Sequence, residues 1–292
     1  MTRIGVAFGS GGARGIAHVL MIQAFEELGI TPSIISGSSI GAIVGAFYAD
    51  GYSSKEMLEI LESLIFPNNG KLSDFFMKSD IIRMLTMFDI QLLKSGFIKG
   101  EKIQNLLESN LKADTFEELK IPLKIVATDY WKKEEVILHK GKLSPAIRAS
   151  YCLPGLFTPV RINKKILIDG GAVNPLPYDI LLGECDITVA VDVTAQRTKN
   201  ETEIPPTFES VFTTYQIMQN SISQQKIKFI NPDIYIRPEI YDIRVFDFAK
   251  SKNIFIQARP AKEELKRKLE QLLEYKTSTE YIEPVLNETK SK

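Results

Sequence analysis

Twice within its first fifty residues the chain runs from an apolar strand through a turn of very small residues into a helix, and this alternation limits the fold more than any other feature. The first copy is the strand Arg3-Ile4-Gly5-Val6-Ala7-Phe8, the loop Gly9-Ser10-Gly11-Gly12-Ala13-Arg14-Gly15 and a helix over about 15–29. Ile16, Val19, Leu20, Ile22, Phe25 and Leu28 share one face of that helix, and Gly29 supplies its stop. The second copy is a strand near 33–36, the turn Gly37-Ser38-Ser39-Ile40-Gly41 and a helix over about 39–51. Alternation of this kind lays strands side by side in parallel and covers them with helices. It predicts a three-layer α/β/α fold with a mostly parallel central sheet.

Further strands are expected at 123–128, 136–138, 165–168, 187–191 and 234–236, and further helices at 54–64, near 80–93, and at about 208–229 and 260–275. Ser53 is placed to cap the helix over 54–64. No repeat, low-complexity linker or compositional break divides the chain. One domain over 1–275 is therefore expected, with a helical insertion at about 65–98 and a charged, frayed tail over 276–292. Lys plus Arg equals Asp plus Glu at 36 each, so no overall field recruits nucleic acid. Cys152 and Cys185 are too few for a disulfide framework and read as buried thiols of a reducing, cytoplasmic setting. A strand starting at residue 3 leaves no secretory leader to expect. No apolar run reaches the ~18 residues of a membrane span, so contact with a membrane is expected to be peripheral.

The loop over 9–15 brings bare backbone N–H groups to a helix start, which suits a nucleotide phosphate, the oxyanion of an acyl-transfer intermediate, or only a tight turn. The second turn bears on that choice. Gly37-Ser38-Ser39-Ile40-Gly41 has the G-x-S-x-G form of a nucleophile elbow, and the second strand ends without the Asp or Glu that a dinucleotide site would place there. A simple helix cap by Ser39 stays open. For the base, His18 lies on the first helix and His139 beside Lys140-Gly141-Lys142, and these are the only histidines. Neither suits the part, which points to a carboxylate at a strand end: Asp129, Asp169 or Asp192. Asp169 stands out because it follows an apolar strand and precedes two glycines that permit close backbone approach, although Asp-Gly also makes an ordinary hairpin turn.

At this point four blocks, in order, make the chain resemble the patatin-like phospholipases: Gly11-Gly12-Ala13-Arg14-Gly15, Gly37-Ser38-Ser39-Ile40-Gly41, the proline-bearing Ala149–Val160, and Asp169-Gly170-Gly171. The resemblance covers about 3–193. It implies a serine acyl-ester hydrolase acting on lipids through a Ser39–Asp169 dyad without histidine. The oxyanion would rest on the amides of Gly11, Gly12 and Ala13. Arg14, Gly37, Gly41, Gly170 and Gly171 would support the site, with Arg14 securing the loop or facing a phosphate, as against a surface charge capping a helix. Ser10 stands where many relatives have a third glycine. Pro154 and Pro159 would fix a loop beside the site, and Asp129 and Asp192 would be structural. No cofactor or metal is implied, and the partner is a lipid or acyl-ester substrate. Transfer of the acyl group to an alcohol, or a silent lipid-binding module, are the alternatives. Ile81, Met84, Leu85, Phe88 and Leu92 of the insertion form an apolar stripe that either packs on the core or covers the site.

Overall fold

The computed structural model describes residues 2–65, 101–194, 204 and 207–288. The expected helix near 80–93 and its apolar stripe lie outside the described residues. Eight strands form one sheet: β1 (Ile4–Phe8), β2 (Ile34–Ser38), β3 (Leu123–Asp129), β4 (Glu134–Leu138), β5 (Val160–Ile162), β6 (Lys165–Asp169), β7 (Ile187–Val191) and β8 (Ile234–Ile236). Their order is β5-β6-β3-β2-β1-β7-β8, with β4 on β3 off this path. The run β3-β2-β1-β7-β8 is parallel, whereas β4, β5 and β6 pair antiparallel. The helices are α1 (Ala17–Glu27), α2 (Ile40–Ala49), α3 (Ser54–Ile65), α4 (Glu101–Asn110), α5 (Leu143–Tyr151), α6 (Thr207–Phe229) and α7 (Ser251–Glu288).

Strand alternation divides the core. Val6 and Phe8 of β1, Ile35 of β2, Ile125 of β3 and Val189 and Val191 of β7 face a layer that includes Met21, Ile22 and Phe25 of α1 and Ile254, Leu265 and Leu269 of α7. The intervening Ala7, Ile34 and Ala190 face Leu176, Tyr178 and Leu181, with Ile227 of α6 packed alongside. The sheet is thus covered on both sides, as a parallel sheet must be.

β5, α4 and α5 were not among the expected elements, and two expected helices differ in their bounds. The first helix opens as a 3-10 turn over Gly12–Ile16 before becoming α-helical at Ala17. The last helix begins at Ser251, not near 260, and continues to Glu288, past the start of the tail that was expected to fray. Pro260 stands at the expected start of this helix, where proline is favoured in the first turn. Here it sits in the interior, and the carbonyl it leaves without an amide belongs to Ile256, whose side chain faces solvent.

The arrangement that matters for function lies along one edge of β3. β4 occupies one edge over Ile125–Asp129. The opposite edge is shared end to end, with β2 pairing Ser38 to Val126 and β6 pairing Asp169 to the next residue, Ala127. The end of the elbow strand therefore meets the end of β6. A Cβ on Gly170 would lie 2.2 Å from the Val126 carbonyl oxygen and 2.9 Å from Ser38 Oγ, so only glycine lets the two strand ends abut.

Candidate active site

Ser39 joins β2 to α2 with φ 55° and ψ −120°, in the half of backbone space that L-residues avoid and that costs about 1–3 kcal/mol. The flanking glycines make this turn feasible. A Cβ at Gly37 would lie 2.5 Å from the Gly41 carbonyl oxygen, and one at Gly41 would lie 2.0 Å from that of Phe8. The Ser39 N–H donates to Ser150 Oγ at 2.9 Å, so buried Ser150 on α5 braces the elbow from behind. Ser10 Oγ donates to Ser38 Oγ at 3.1 Å and ties the glycine loop to the same turn.

Ser39 Oγ donates to Asp169 Oδ2 at 3.0 Å, and Asp169 Oδ1 accepts the Gly171 N–H at 2.6 Å. The backbone of Asp169 is fixed on both sides, its N–H donating to the Cys152 carbonyl at 3.0 Å and its carbonyl accepting from Thr128 Oγ1 at 2.7 Å. Burial pushes the carboxyl up to about 6, against the opposing pull of the Gly171 and Ser39 donors and of the nearby Tyr215 hydroxyl. The other carboxylate candidates have separate tasks. Asp129 accepts the N–H groups of Trp131 and Lys132 at 3.1 Å each. Asp192 accepts from Thr194 and, at 2.7 Å, from the Tyr235 hydroxyl. His139 is exposed. His18 is fully buried, pushed down to about 4 by that burial and therefore neutral, with Nε2 2.8 Å from the Gly9 carbonyl oxygen. It holds the underside of the glycine loop and does not reach Ser39.

Within that loop the structure corrects one expectation and narrows another. Ala13 N–H donates to the Val245 carbonyl at 2.7 Å, so it is already committed and does not belong with the amides that could receive an oxyanion. Gly9 and Ser10 are likewise spent on the Val191 and Pro175 carbonyls, whereas the Gly11 and Gly12 amides have no partner among the described residues. Arg14 neither faces a phosphate nor sits on the surface. It is 3% exposed, donates through Nε to the Val193 carbonyl at 3.3 Å and through Nη1 to that of Ile243, and is pushed down to about 10 by burial. It secures the loop, as one of the expected roles had it. The sequence reading missed a further donor, Ile40, whose N–H opens α2 and faces no helix carbonyl, as for any first-turn amide.

The family model described as patatin-like phospholipase matches residues 6–182, more than half of the chain. The chain belongs to the patatin-like phospholipase family. An uncharacterized NTE family protein of Mycobacterium tuberculosis, Rv1063c, is 35% identical over 192 residues, which is 65% of this chain and 49% of that protein. Lysophospholipase NTE1 of Saccharomyces cerevisiae is 28% identical over 276 residues, 86% of this chain and 16% of the yeast protein. This patatin-like chain thus spans about half the length of the first relative and a small part of the second. Among solved structures, VipD from Legionella pneumophila aligns over 90% of this chain and 67% of its own, at a TM-score of 0.46 and 16% identity.

The patatin-like site opens into a half-open cavity of about 90 Å³. Its floor is Ser39, Asp169, Gly11 and Gly12, and much of its wall comes from beyond the matched family region: Phe212, Tyr215 and Gln219 of α6, and Val245, Phe246 and Phe248. Nothing in the sequence marks these residues as site residues, because helix 207–229 carries no motif and meets the site only through tertiary packing. Among the described residues no helix is long and apolar enough to cross a membrane.

Proposed function

We propose that this chain is a lipid acyl-ester hydrolase of the phospholipase or lysophospholipase type, with Ser39 as nucleophile and Asp169 as the sole acid–base partner. The observation that carries the reading is the 3.0 Å bond from Ser39 Oγ to a buried carboxylate, set beneath a mostly apolar cavity and beside uncommitted amides. Ser39 Oγ attacks the ester carbonyl carbon while its proton passes to Asp169 Oδ2. The Gly11, Gly12 and Ile40 N–H groups receive the oxyanion. Collapse expels the alkoxide of the head-group side, which takes the proton back from Asp169 and leaves an acyl-Ser39 ester. Water then gives a proton to Asp169 and attacks that ester. Fatty acid departs and the proton returns to Ser39 Oγ.

The cavity lining supports an acyl chain as its occupant, since Ile40, Ile43, Leu153, Phe157 and Phe246 present carbon and Asp169 is the only charged group among the lining residues. Support for peripheral contact with lipid comes from α6, where exposed Val211 and Met218 flank a depression that shares Leu153, Phe212 and Tyr215 with the cavity. The test is incubation with a fluorophosphonate followed by peptide mapping, alongside release of fatty acid from lysophospholipid. Label on Ser39, and loss of both label and release in Ser39→Ala, is the expected outcome. Label on Ser38, or full activity in the alanine variant, would overturn the assignment.

A further inference from the structure

The Asp169 carboxylate has room for more donors than it holds, since two oxygens offer about four lone-pair sites and only Ser39 and Gly171 fill two of them in good geometry. Next to it sits a donor that has been left over. The Tyr215 hydroxyl is buried and has no partner of hydrogen-bonding geometry among the described residues. Its ring lines the same cavity as Ser39 and Asp169. Gln219 lies one turn further along α6, so both side chains project from one face of the helix. The Gln219 amide is packed hard against the Asp-Gly-Gly turn: a Cβ on Gly171 would lie 2.0 Å from Gln219 Nε2 and 2.8 Å from Asp169 Oδ1. Two polar side chains from a helix outside the matched family region are therefore held over the carboxylate. A buried hydroxyl left without a partner is costly, and is seldom kept where phenylalanine would pack as well.

We propose that Tyr215 is a positioning residue for the acyl-transfer reaction, its hydroxyl serving as the third donor to the Asp169 carboxylate with Gln219 holding the phenol in place. The proposal rests on the reading of Ser39 and Asp169 as a dyad and adds to it a helix that no motif marks. A third donor acts in two ways. It fixes the carboxylate plane so that Oδ2 stays on the Ser39 hydroxyl. It also stabilises the anion over the acid in a site where burial favours the acid, and so keeps the base available at lower pH. The hydroxyl interacts with Asp169 closely enough to oppose the effect of burial on that group, and the carboxylate in turn pushes the phenol further up.

The remaining groups around Asp169 do not titrate in the same window. The Cys152 thiol is pushed up to about 12 by burial and by Asp169 itself, and donates to the Thr158 carbonyl. Ser10, Ser39, Gln219 and the Gly171 amide carry no titratable charge there. His18 lies beneath the glycine loop and is neutral.

The decisive measurement is the pH dependence of fluorophosphonate inactivation, and of kcat/KM on a short soluble ester, for the full chain and for Tyr215→Phe. Wild type should show an acidic limb near pH 6. In Tyr215→Phe that limb should move to higher pH by about one pH unit, the effect of removing one hydrogen bond to a charged group. The melting temperature should be unchanged or slightly higher. Gln219→Leu should move the limb in the same direction by less. A limb that stays in place in both variants overturns the role of Tyr215, even if the rate falls at every pH, because a merely structural residue would lower rates without moving the limb. A wild-type enzyme that labels elsewhere than Ser39, or shows no acidic limb, overturns the dyad reading itself, so the two failures are told apart.

Discussion

The two sides of the cavity are built on different principles. The floor, from β1, β2, β6 and the turns after them, holds Ser39, Asp169 and the Gly11 and Gly12 amides, each set on a local backbone feature: a strained turn, a strand end, a tight loop. The wall, from α6 and residues 245–248, holds apolar and uncharged polar side chains that reach the site through packing alone. On the proposed mechanism the floor would perform chemistry on any acyl ester, whereas the wall would decide which ester stays and how the carboxylate is tuned. Changes to the floor should therefore cut turnover on every substrate, and changes to the wall should cut it selectively.

The largest effect expected is that of Asp169→Asn, which breaks the floor. An amide cannot accept the Ser39 proton, so turnover on short and long esters alike should fall by about 10²–10⁴-fold. The same substitution should stabilise the fold. Burial has pushed this carboxyl up from its ordinary value to about 6. Between pH 4 and 6 the native protein keeps a proton that the unfolded chain has lost, so wild-type stability declines as pH rises through that window and stays lower above it. The asparagine carries no charge and escapes that cost. Its gain should be about 1–3 kcal/mol above pH 6 and vanish toward pH 4, as measured by denaturant unfolding at several pH values. A variant less stable than wild type at pH 7 would mean that the carboxylate is structural, and the division between floor and wall would lose its chemical side.

How much could be read from the sequence follows the same division. The Gly37-to-Gly41 turn, the glycine loop and Asp169-Gly170-Gly171 were legible because each is a local rule: a close approach or a strained angle that only small residues satisfy. Even there, the commitment of the Ala13 amide to Val245 and the burial of Arg14 against Val193 and Ile243 were hidden, since both partners lie more than 170 residues away. Ser150, which braces the elbow, sits in a stretch where its prolines drew attention and its hydroxyl did not. The sheet was legible in its parallel run, but the sharing of one β3 edge by β2 and β6 was not, because strand periodicity reveals which residues alternate and not who their neighbours are. The wall escaped entirely. Phe212, Tyr215 and Gln219 look like any helix face until that helix is placed.

A change to the wall that keeps the floor intact is Phe246→Ala. Phe246 meets Phe212 edge to face, with ring centroids 5.4 Å apart, and both line the cavity. Removing one ring leaves Ser39, Asp169 and the amides untouched and lengthens the apolar space beside them. The ratio of kcat/KM for long over short acyl esters should change by about 10-fold, within the discrimination that a few methylenes give in an apolar pocket, while inactivation by a small fluorophosphonate stays within twofold. Loss of all activity in a folded variant would mean that the wall takes part in chemistry and that the comparison is too sharp.

The smallest effect concerns the outer rim, where the wall continues to the surface of α6. Val211 and Met218 are 60% and 55% exposed, two turns apart on the helix, and together with Leu153, Pro154 and Tyr215 they line the depression beside the cavity. Apolar side chains so exposed gain nothing from the fold in water, but they gain on entering a lipid surface, by up to about 1.5–3 kcal/mol for a side chain fully removed from water. Partial insertion of both would contribute a few-fold to tenfold in local concentration at an aggregate. The variant Val211→Ser with Met218→Ser should therefore lower hydrolysis of long-chain lysophospholipid in micelles by about fivefold. Hydrolysis of a soluble short ester should hold within twofold, and stability within about 0.5 kcal/mol, as for most exposed positions. Ile217→Ser is the control, since Ile217 is 62% exposed on the same helix and does not line the depression. If Ile217→Ser costs as much as the double variant, α6 meets lipid without any preferred face. If neither variant distinguishes micelle from soluble ester, the rim has no part in reaching lipid, and selectivity begins only at Phe212 and Phe246.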